Sequence, residues 1–178
     1  MTEFFASLSP DAAEQVEYLI NNVPFAIWET LYSTVLATIL AYVIGLPLGV
    51  LLVVGEEGGI LPLPRPVMTV LNVVVNLLRS VPFLILMVVV FPLSRLLIGT
   101  SIGTKATIVP LFIAAFPFVA RLVEASIREM DRGIIEAAES MGCSPLQIIT
   151  KVILPECVPS LLTGFATAFV TILSYGAM

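Results

Sequence analysis

Histidine is absent from this sequence, and its 178 residues include only two cysteines, Cys143 and Cys157. Without histidine, neither cysteine has the companions of a zinc or haem site, and both read as reduced, structural thiols. Charge is also scarce, at 12% of residues, against roughly a quarter in soluble domains. No Gly-x-x-x-x-Gly-Lys-Ser/Thr phosphate loop occurs, so the chain cannot hydrolyse ATP by that chemistry and is expected not to be an enzyme. No Lys or Arg precedes the first apolar run, so the basic region of a cleaved secretory signal is missing, and this segment is expected to stay in the mature protein. The net charge of −5 comes mostly from Glu3, Asp11, Glu14 and Glu17, and nothing suggests nucleic-acid binding.

What the chain has in abundance is apolar surface. With 58% hydrophobic residues and a mean hydropathy of +1.07, its main solvent is the lipid bilayer. A helix needs about 20 apolar residues to cross a hydrocarbon core roughly 30 Å thick. Four regions qualify. Thr30 to Val54 carries no charge, and Val67 to Leu93 is interrupted only by Arg79. Ala106 to Ala120 is short, but Lys105 and Arg121 at its ends are expected to snorkel to the two surfaces. The fourth run begins at Cys157 and reaches Met178 with no charged flank, which suggests that a further crossing is missing. The fold class expected is therefore an all-α, polytopic transmembrane helix bundle.

Between the runs, Gly55-Glu56-Glu57-Gly58-Gly59 reads as a turn, and Pro62, Pro64 and Pro66 keep the chain out of a helix until about Val67. Pro82 lacks an amide donor and crowds the carbonyl four residues earlier, so Arg79-Ser80-Val81-Pro82 is expected to weaken or kink the second crossing at its middle. Lys and Arg favour the cytoplasmic side of short loops. With the N-terminus outside, the inner loops hold Arg65, Arg121, Arg128, Arg132 and Lys151, and only Arg95 and Lys105 remain outside.

The interval from Arg121 to Glu156 is dense in local signals. Asp131 is a candidate N-cap for a helix through Met141, with Ile134, Ile135, Ala138 and Met141 as its apolar face. Gly142 stands where a left-handed residue ends a helix. Ser144-Pro145-Leu146-Gln147 then supplies an N-cap, a first-turn proline and a capping-box partner for a second helix, with Leu146, Ile149, Val152 and Ile153 as its apolar face. Pro155 and Pro159 bend the chain back toward the membrane.

This constellation of Glu136-Ala137-Ala138, Gly142 six residues after the Glu, and Leu154-Pro155 resembles the coupling loop of binding-protein-dependent ABC importer permeases. Their pattern has Ile two places before Leu-Pro, where this chain has Val152. Within that superfamily the sequence is similar to the permeases of methionine importers. The similarity runs from Trp28-Glu29-Thr30-Leu31 through Arg79-Ser80-Val81-Pro82-Phe83 to Ser174-Tyr175-Gly176-Ala177-Met178.

The resemblance implies the type I ABC importer permease fold, with four crossings visible and a fifth, after a Gly-rich turn, beyond Met178. It implies an extracytoplasmic segment at residues 1–24, a transmembrane domain at 25–178 and a coupling loop at about 121–156. It also implies a multi-pass protein of the bacterial inner membrane that forms a homodimer of permeases with a cytoplasmic ATPase dimer and an extracytoplasmic methionine-binding lipoprotein. ATP and Mg would be bound by the ATPase, with no cofactor in this chain. Glu136, Ala137, Ala138, Gly142, Leu154 and Pro155 would couple the two, and Arg79 with Pro82 would shape the translocation path. Competing readings are a permease for another amino acid or an osmoprotectant, or a stand-alone channel or scaffold whose hairpin is coincidental.

Several residues have structural readings beside functional ones. Arg79, the one charge well inside a crossing, is a functional candidate by default, with a structural reading beside it in which it bonds carbonyls freed at Pro82 or reaches the cytoplasmic interface. Glu29 reads as an acid at the N-terminus of the first crossing. Met68, Met87 and Met178 read as packing or lipid-facing side chains before lining for a thioether substrate. Gly45 and Gly49 have the spacing that lets two helices approach closely.

Overall fold

The computed structural model describes residues 10–100 and 102–176, and every regular element among them is helical. Helix α1 (Pro10–Val54) runs for 45 residues, about 67 Å at 1.5 Å per residue, more than twice the thickness of a hydrocarbon core. Residues 10–24 are its first turns, with no break before the charge-free stretch, while residues 1–9, including Glu3, lie outside the described residues. Glu29 is therefore deep inside a continuous helix, and the reading that placed it at a helix N-terminus is wrong. The cause is tolerance of Pro24, which stands inside the helix without ending it.

After α1 the chain folds back on the helix end. Leu61 N–H donates to the Val54 carbonyl at 3.0 Å and Leu63 N–H to the Gly55 carbonyl at 3.0 Å, which satisfies acceptors that a helix terminus leaves open. Helix α2 (Arg65–Ser80) starts two residues before the sequence suggests, because Pro64 and Pro66 sit at its N-cap and first turn, where no amide is needed.

The second crossing is broken at the point expected to weaken or kink it: the chain bends by 109° between α2 and α3 (Phe83–Ile98). Val81 is extended at φ −80° and ψ 125°, because the ring of the following proline disfavours the helical region for it. Pro82 is extended too, at φ −55° and ψ 136°, and serves as the N-cap of α3. Arg79 is in the last turn of α2, where a cation is favoured by the helix dipole. It is exposed and makes no side-chain hydrogen bond among the described residues, so it does not bond freed carbonyls at Pro82.

Helix α4 (Thr104–Arg128) is the centre of the bundle and packs against α1, α2, α3 and α8 (Val158–Gly176). Leu111, Ala115, Val119 and Val123 on α4 are fully buried and meet Ala37 and Ala41 of α1 and Ala168 and Ile172 of α8. Gly45 and Gly49 let α1 lie against α4, since a Cβ at Gly49 would stand 2.5 Å from the Ala120 carbonyl oxygen. Their spacing is packing within this chain. Met68 is likewise core, buried with Leu52, Val75 and Ala120, and Met178 lies outside the described residues. Among the described residues α1, α4 and α8 are each long and apolar enough to cross a membrane, and the bent α2–α3 pair supplies the fourth apolar region.

Candidate functional site

The hairpin between α4 and α8 is built almost wholly from local rules. Helix α5 (Arg132–Ser140) begins where Asp131 Oδ1 accepts from Gly133 N–H at 2.8 Å. It ends where Gly142, at φ +78°, turns left-handed and donates to the Glu139 carbonyl at 2.9 Å, with Cys143 N–H on the Ala138 carbonyl at 3.1 Å. A second start follows at once, as Ser144 N–H donates to Gln147 Oε1 at 2.9 Å ahead of α6 (Pro145–Ile148).

The second arm departs from a simple helix. Residues Ile149–Ile153 form a π turn before α7 (Leu154–Glu156), and Leu154 N–H reaches back to the Ile149 carbonyl. A wider turn ahead of Pro155 relieves the crowding that its ring would cause in a regular α-helix. It also changes which side chains face inward. Ile148 and Ile153, five apart, are buried at 1% and 0% exposure, while Leu146 is 73% exposed. The apolar face expected from a 3.6-residue period is corrected to Ile148 and Ile153, with Ile149 and Val152 at its edge. On α5, Ala138 is buried and Ile135 packs beside it, but Met141 is 76% exposed and does not belong to the face.

The hairpin residues are thus sorted by exposure. Glu136, Ala137, Gly142 and Pro155 are exposed, Leu154 is half-buried and Ala138 anchors the arm against the core. Glu136 and Glu139 also line a cavity of about 490 Å³ with Arg132, Glu56 and Glu57, over an apolar floor that includes Ile127 and Ile153. The cavity brings the 55–60 loop and the hairpin to the same end of the molecule. Arg79 and Pro82 are not brought there. Fourteen residues of α2, roughly 21 Å of helix, separate Arg79 from Arg65 at that loop.

A polar network joins these elements, and the sequence reading missed it. Arg121 pairs with Glu124, and its Nη2 donates to Asn72 Oδ1 at 2.8 Å and Asn76 Oδ1 at 3.0 Å. Arg128 bonds Glu124 at 3.1 Å and pairs with Glu56 in the loop. Arg121 therefore does not snorkel to a surface. It lies inside α4, seven residues before the helix end, and turns toward α2, where two asparagines and Glu124 accept from its terminal nitrogens while its buried Nε has no partner among the described residues. The i, i+3, i+7 spacing of Arg121, Glu124 and Arg128 was the available signal that the three share a helix face. Cys143 is half-buried and Cys157 buried, both unpaired, and the Cys157 thiol donates to the Ser126 carbonyl at 3.6 Å.

The chain is thus a bundle of apolar helices, long enough to span a membrane, that carries a capped, partly exposed hairpin at one end. Over residues 45–177 it matches one family, and the chain belongs to it: the binding-protein-dependent transport system inner membrane components. It is 49% identical over 153 residues to the probable D-methionine transport system permease protein MetI of Vibrio cholerae, covering 86% of this chain and 68% of that protein. It is 45% identical over 152 residues to the D-methionine transport system permease protein MetI of Escherichia coli K12, covering 85% of this chain and 70% of that protein. Among solved structures, a chain of the MetNI methionine ABC transporter in inward-facing form superposes with a TM-score of 0.88 at 41% identity, covering 91% of this chain and 74% of that one. A chain of an amino acid ABC transporter shares the fold at a TM-score of 0.71 and 23% identity. The protein is thus a multi-pass transport permease with the type I importer fold.

Proposed function

We propose that this chain is the membrane-spanning subunit of an ATP-binding-cassette importer that carries methionine into the cell. The observation that carries the reading is its 45–49% identity, over most of its length, to permeases named for D-methionine transport. In this reading the permease forms a homodimer, a cytoplasmic ATPase dimer binds ATP and Mg, and an extracytoplasmic lipoprotein delivers the substrate. Glu136, Ala137, Gly142 and Pro155 meet the ATPase, and Ala138 and Leu154 hold the hairpin to the bundle. ATP-driven closure of the partner would move the hairpin as a unit, because its arms are capped and joined through one glycine, and so shift the bundle between two states. Arg79 and Pro82, at the break between α2 and α3, shape the path.

The N-terminus is placed outside. Support comes from the loop at 55–64, held to the hairpin end through Glu56 and Arg128, which gathers Arg65, Arg128 and Arg132 at one end. In a background lacking Cys143 and Cys157, a cysteine at Ser7 should react with an impermeant reagent in intact cells and one at Arg132 should not. Arg79→Ala should lower uptake while the ATPase complex still assembles. Wild-type uptake at wild-type expression would remove Arg79 from the path.

The decisive experiment is co-expression of the permease with its candidate ATPase, followed by reconstitution. A stable complex that takes up methionine on ATP addition is the expected result. ATP-dependent uptake of a different amino acid or osmoprotectant would overturn the cargo, and solute flux without any ATPase would favour a channel.

A further inference from the structure

Glu124 is the one buried carboxylate among the described residues, at 8% exposure, and it sits between two arginines of its own helix. Its Oε2 accepts from Arg121 Nη1, three residues earlier. Its Oε1 accepts from Arg128, four residues later, with Nε at 3.1 Å and Nη2 at 3.0 Å. Each arginine then leaves α4 for a different element. Arg121 holds the Asn72 and Asn76 side-chain oxygens on α2, and Arg128 Nη2 reaches Glu56, just past the end of α1.

These contacts differ in kind from the apolar packing beside them. Leu52, Met68, Val75 and Ala120 join α1, α2 and α4 through surfaces whose attraction is non-directional and permits sliding. Charge-assisted hydrogen bonds instead fix distance and angle. A buried carboxylate that loses its partners is strongly unfavourable, so the network resists opening. It spans Arg121 to Arg128, about the last two turns of α4, directly before Asp131 caps the first arm of the hairpin. No hydrogen bond among the described residues joins the 55–60 loop to α5, and the cavity of about 490 Å³ lies between them. The polar ties of the hairpin root to that loop and to α2 therefore run through α4.

We propose that Glu124 is a positioning residue for coupling: through Arg121 and Arg128 it makes the end of α4, helix α2 and the 55–60 loop one rigid strut, so that movement of the hairpin root carries all three together. The inference rests on the importer reading for what drives the movement, but not for the strut itself.

The strut is tested first in the purified permease without an ATPase. Glu124→Gln keeps the size of the side chain and removes the charge that both arginines share. The Gly59, Leu61 and Leu63 amides, which donate to the Glu56, Val54 and Gly55 carbonyls, should then exchange hydrogen roughly tenfold faster, as loss of a charged contact implies. Residues 111–119 of α4 should exchange as in wild type. Glu56→Gln, which cuts the loop arm alone, should give the same result and keeps the test valid if Glu124→Gln does not fold. Unchanged exchange would overturn the strut. In the transporter assembled with its ATPase, Glu56→Cys and Arg128→Cys are then combined in a background lacking Cys143 and Cys157 and bridged by a short, reducible bis-thiosulfonate reagent. The unbridged form should take up less methionine per ATP hydrolysed. The bridge should restore that ratio, because a strut that stays closed throughout the cycle can be replaced by a covalent one. A bridge that stops uptake, with recovery on reduction, would reveal a latch that must open and would overturn the strut. A wild-type ratio before bridging would overturn its role in coupling. If the unaltered permease takes up no methionine on ATP addition, the importer reading fails, and hydrogen exchange still decides the strut.

Discussion

Gly49 and Gly142 are both positions where a side chain would do damage, for opposite reasons. At Gly49 the backbone is ordinary helix, but an added Cβ would meet the Ala120 carbonyl oxygen at 2.5 Å and the Val123 Cβ at 2.6 Å. At Gly142 nothing lies within 4 Å of an added Cβ, and the obstacle is the backbone itself, at φ +78°. Inside the membrane the constraint is space between two helices. In the hairpin it is one dihedral angle. The α1–α4 seam is thus a rigid unit that fails globally if forced apart, whereas the hairpin turn fails locally, changing the direction of its arms and leaving the bundle intact.

The comparison breaks most visibly at the seam. Gly49→Leu should destabilise the permease by more than the roughly 1–3 kcal/mol typical of overpacking, because the nearest obstacle is backbone that cannot rotate away. The expected readout is loss of a monodisperse peak when the detergent-solubilised protein is heated and run on size exclusion. Gly164→Ala is the control, since its Cβ would meet the Tyr42 hydroxyl at an ordinary 3.6 Å. Equal melting of both variants would mean that α1 and α4 are not tightly apposed.

At the hairpin the expected cost is smaller and confined. Gly142→Leu carries about 1–2 kcal/mol of backbone strain, so the bundle should insert and melt nearly as wild type while ATPase binding, or the ratio of uptake to hydrolysis, falls. Gly142→Asn should recover most of the loss, because asparagine tolerates the left-handed region. Failure of Asn to outperform Leu would show that the angle is not the constraint. Smaller still, Asp131→Ala removes the acceptor of Gly133 N–H and should cost roughly 1 kcal/mol, with Asp131→Asn near neutral. Hydrogen exchange over residues 132–140 would report the fraying.

The same contrast explains what could be read in advance. The caps at Asp131 and Ser144 and the stop at Gly142 were legible because each depends on residues within a few positions of one another. Gly45 and Gly49 were legible as a contact but not as to its partner. The weak point at Arg79-Ser80-Val81-Pro82 was legible from Pro82, but its extent was not, because a long apolar run gives no sign of how far the residue before proline leaves the helical region. Two features were not legible from neighbouring residues alone. The π turn shows only in which isoleucines end up buried. Arg121 shares a helix face with Glu124, which its spacing signals, but it finds Asn72 at a sequence separation of 49, and nothing near it points to that partner on α2.

Glu136 gives the smallest expected change in stability and the sharpest separation of the two regions. Its side chain is exposed and forms no ion pair among the described residues, unlike Glu124 and Glu56, which tie helices and loop together. Arg132 is one turn earlier on the same helix, and Glu136, Glu139 and Arg132 share the cavity wall. Reversing the charge at 136 would place a second cation near Arg132, which at an exposed helical spacing costs only a few tenths of a kcal/mol. Glu136→Lys should therefore melt like wild type. Its effect should appear only in the presence of the ATPase: if Glu136 faces a basic contact there, binding weakens and raising the salt concentration restores it, since screening weakens the new like-charge repulsion. Weakened binding that salt does not restore would mean that shape at this position matters more than charge. If Glu136→Lys and Gly142→Leu both assemble and import at the wild-type rate per ATP hydrolysed, the exposed edge of the hairpin is not the surface that meets the ATPase.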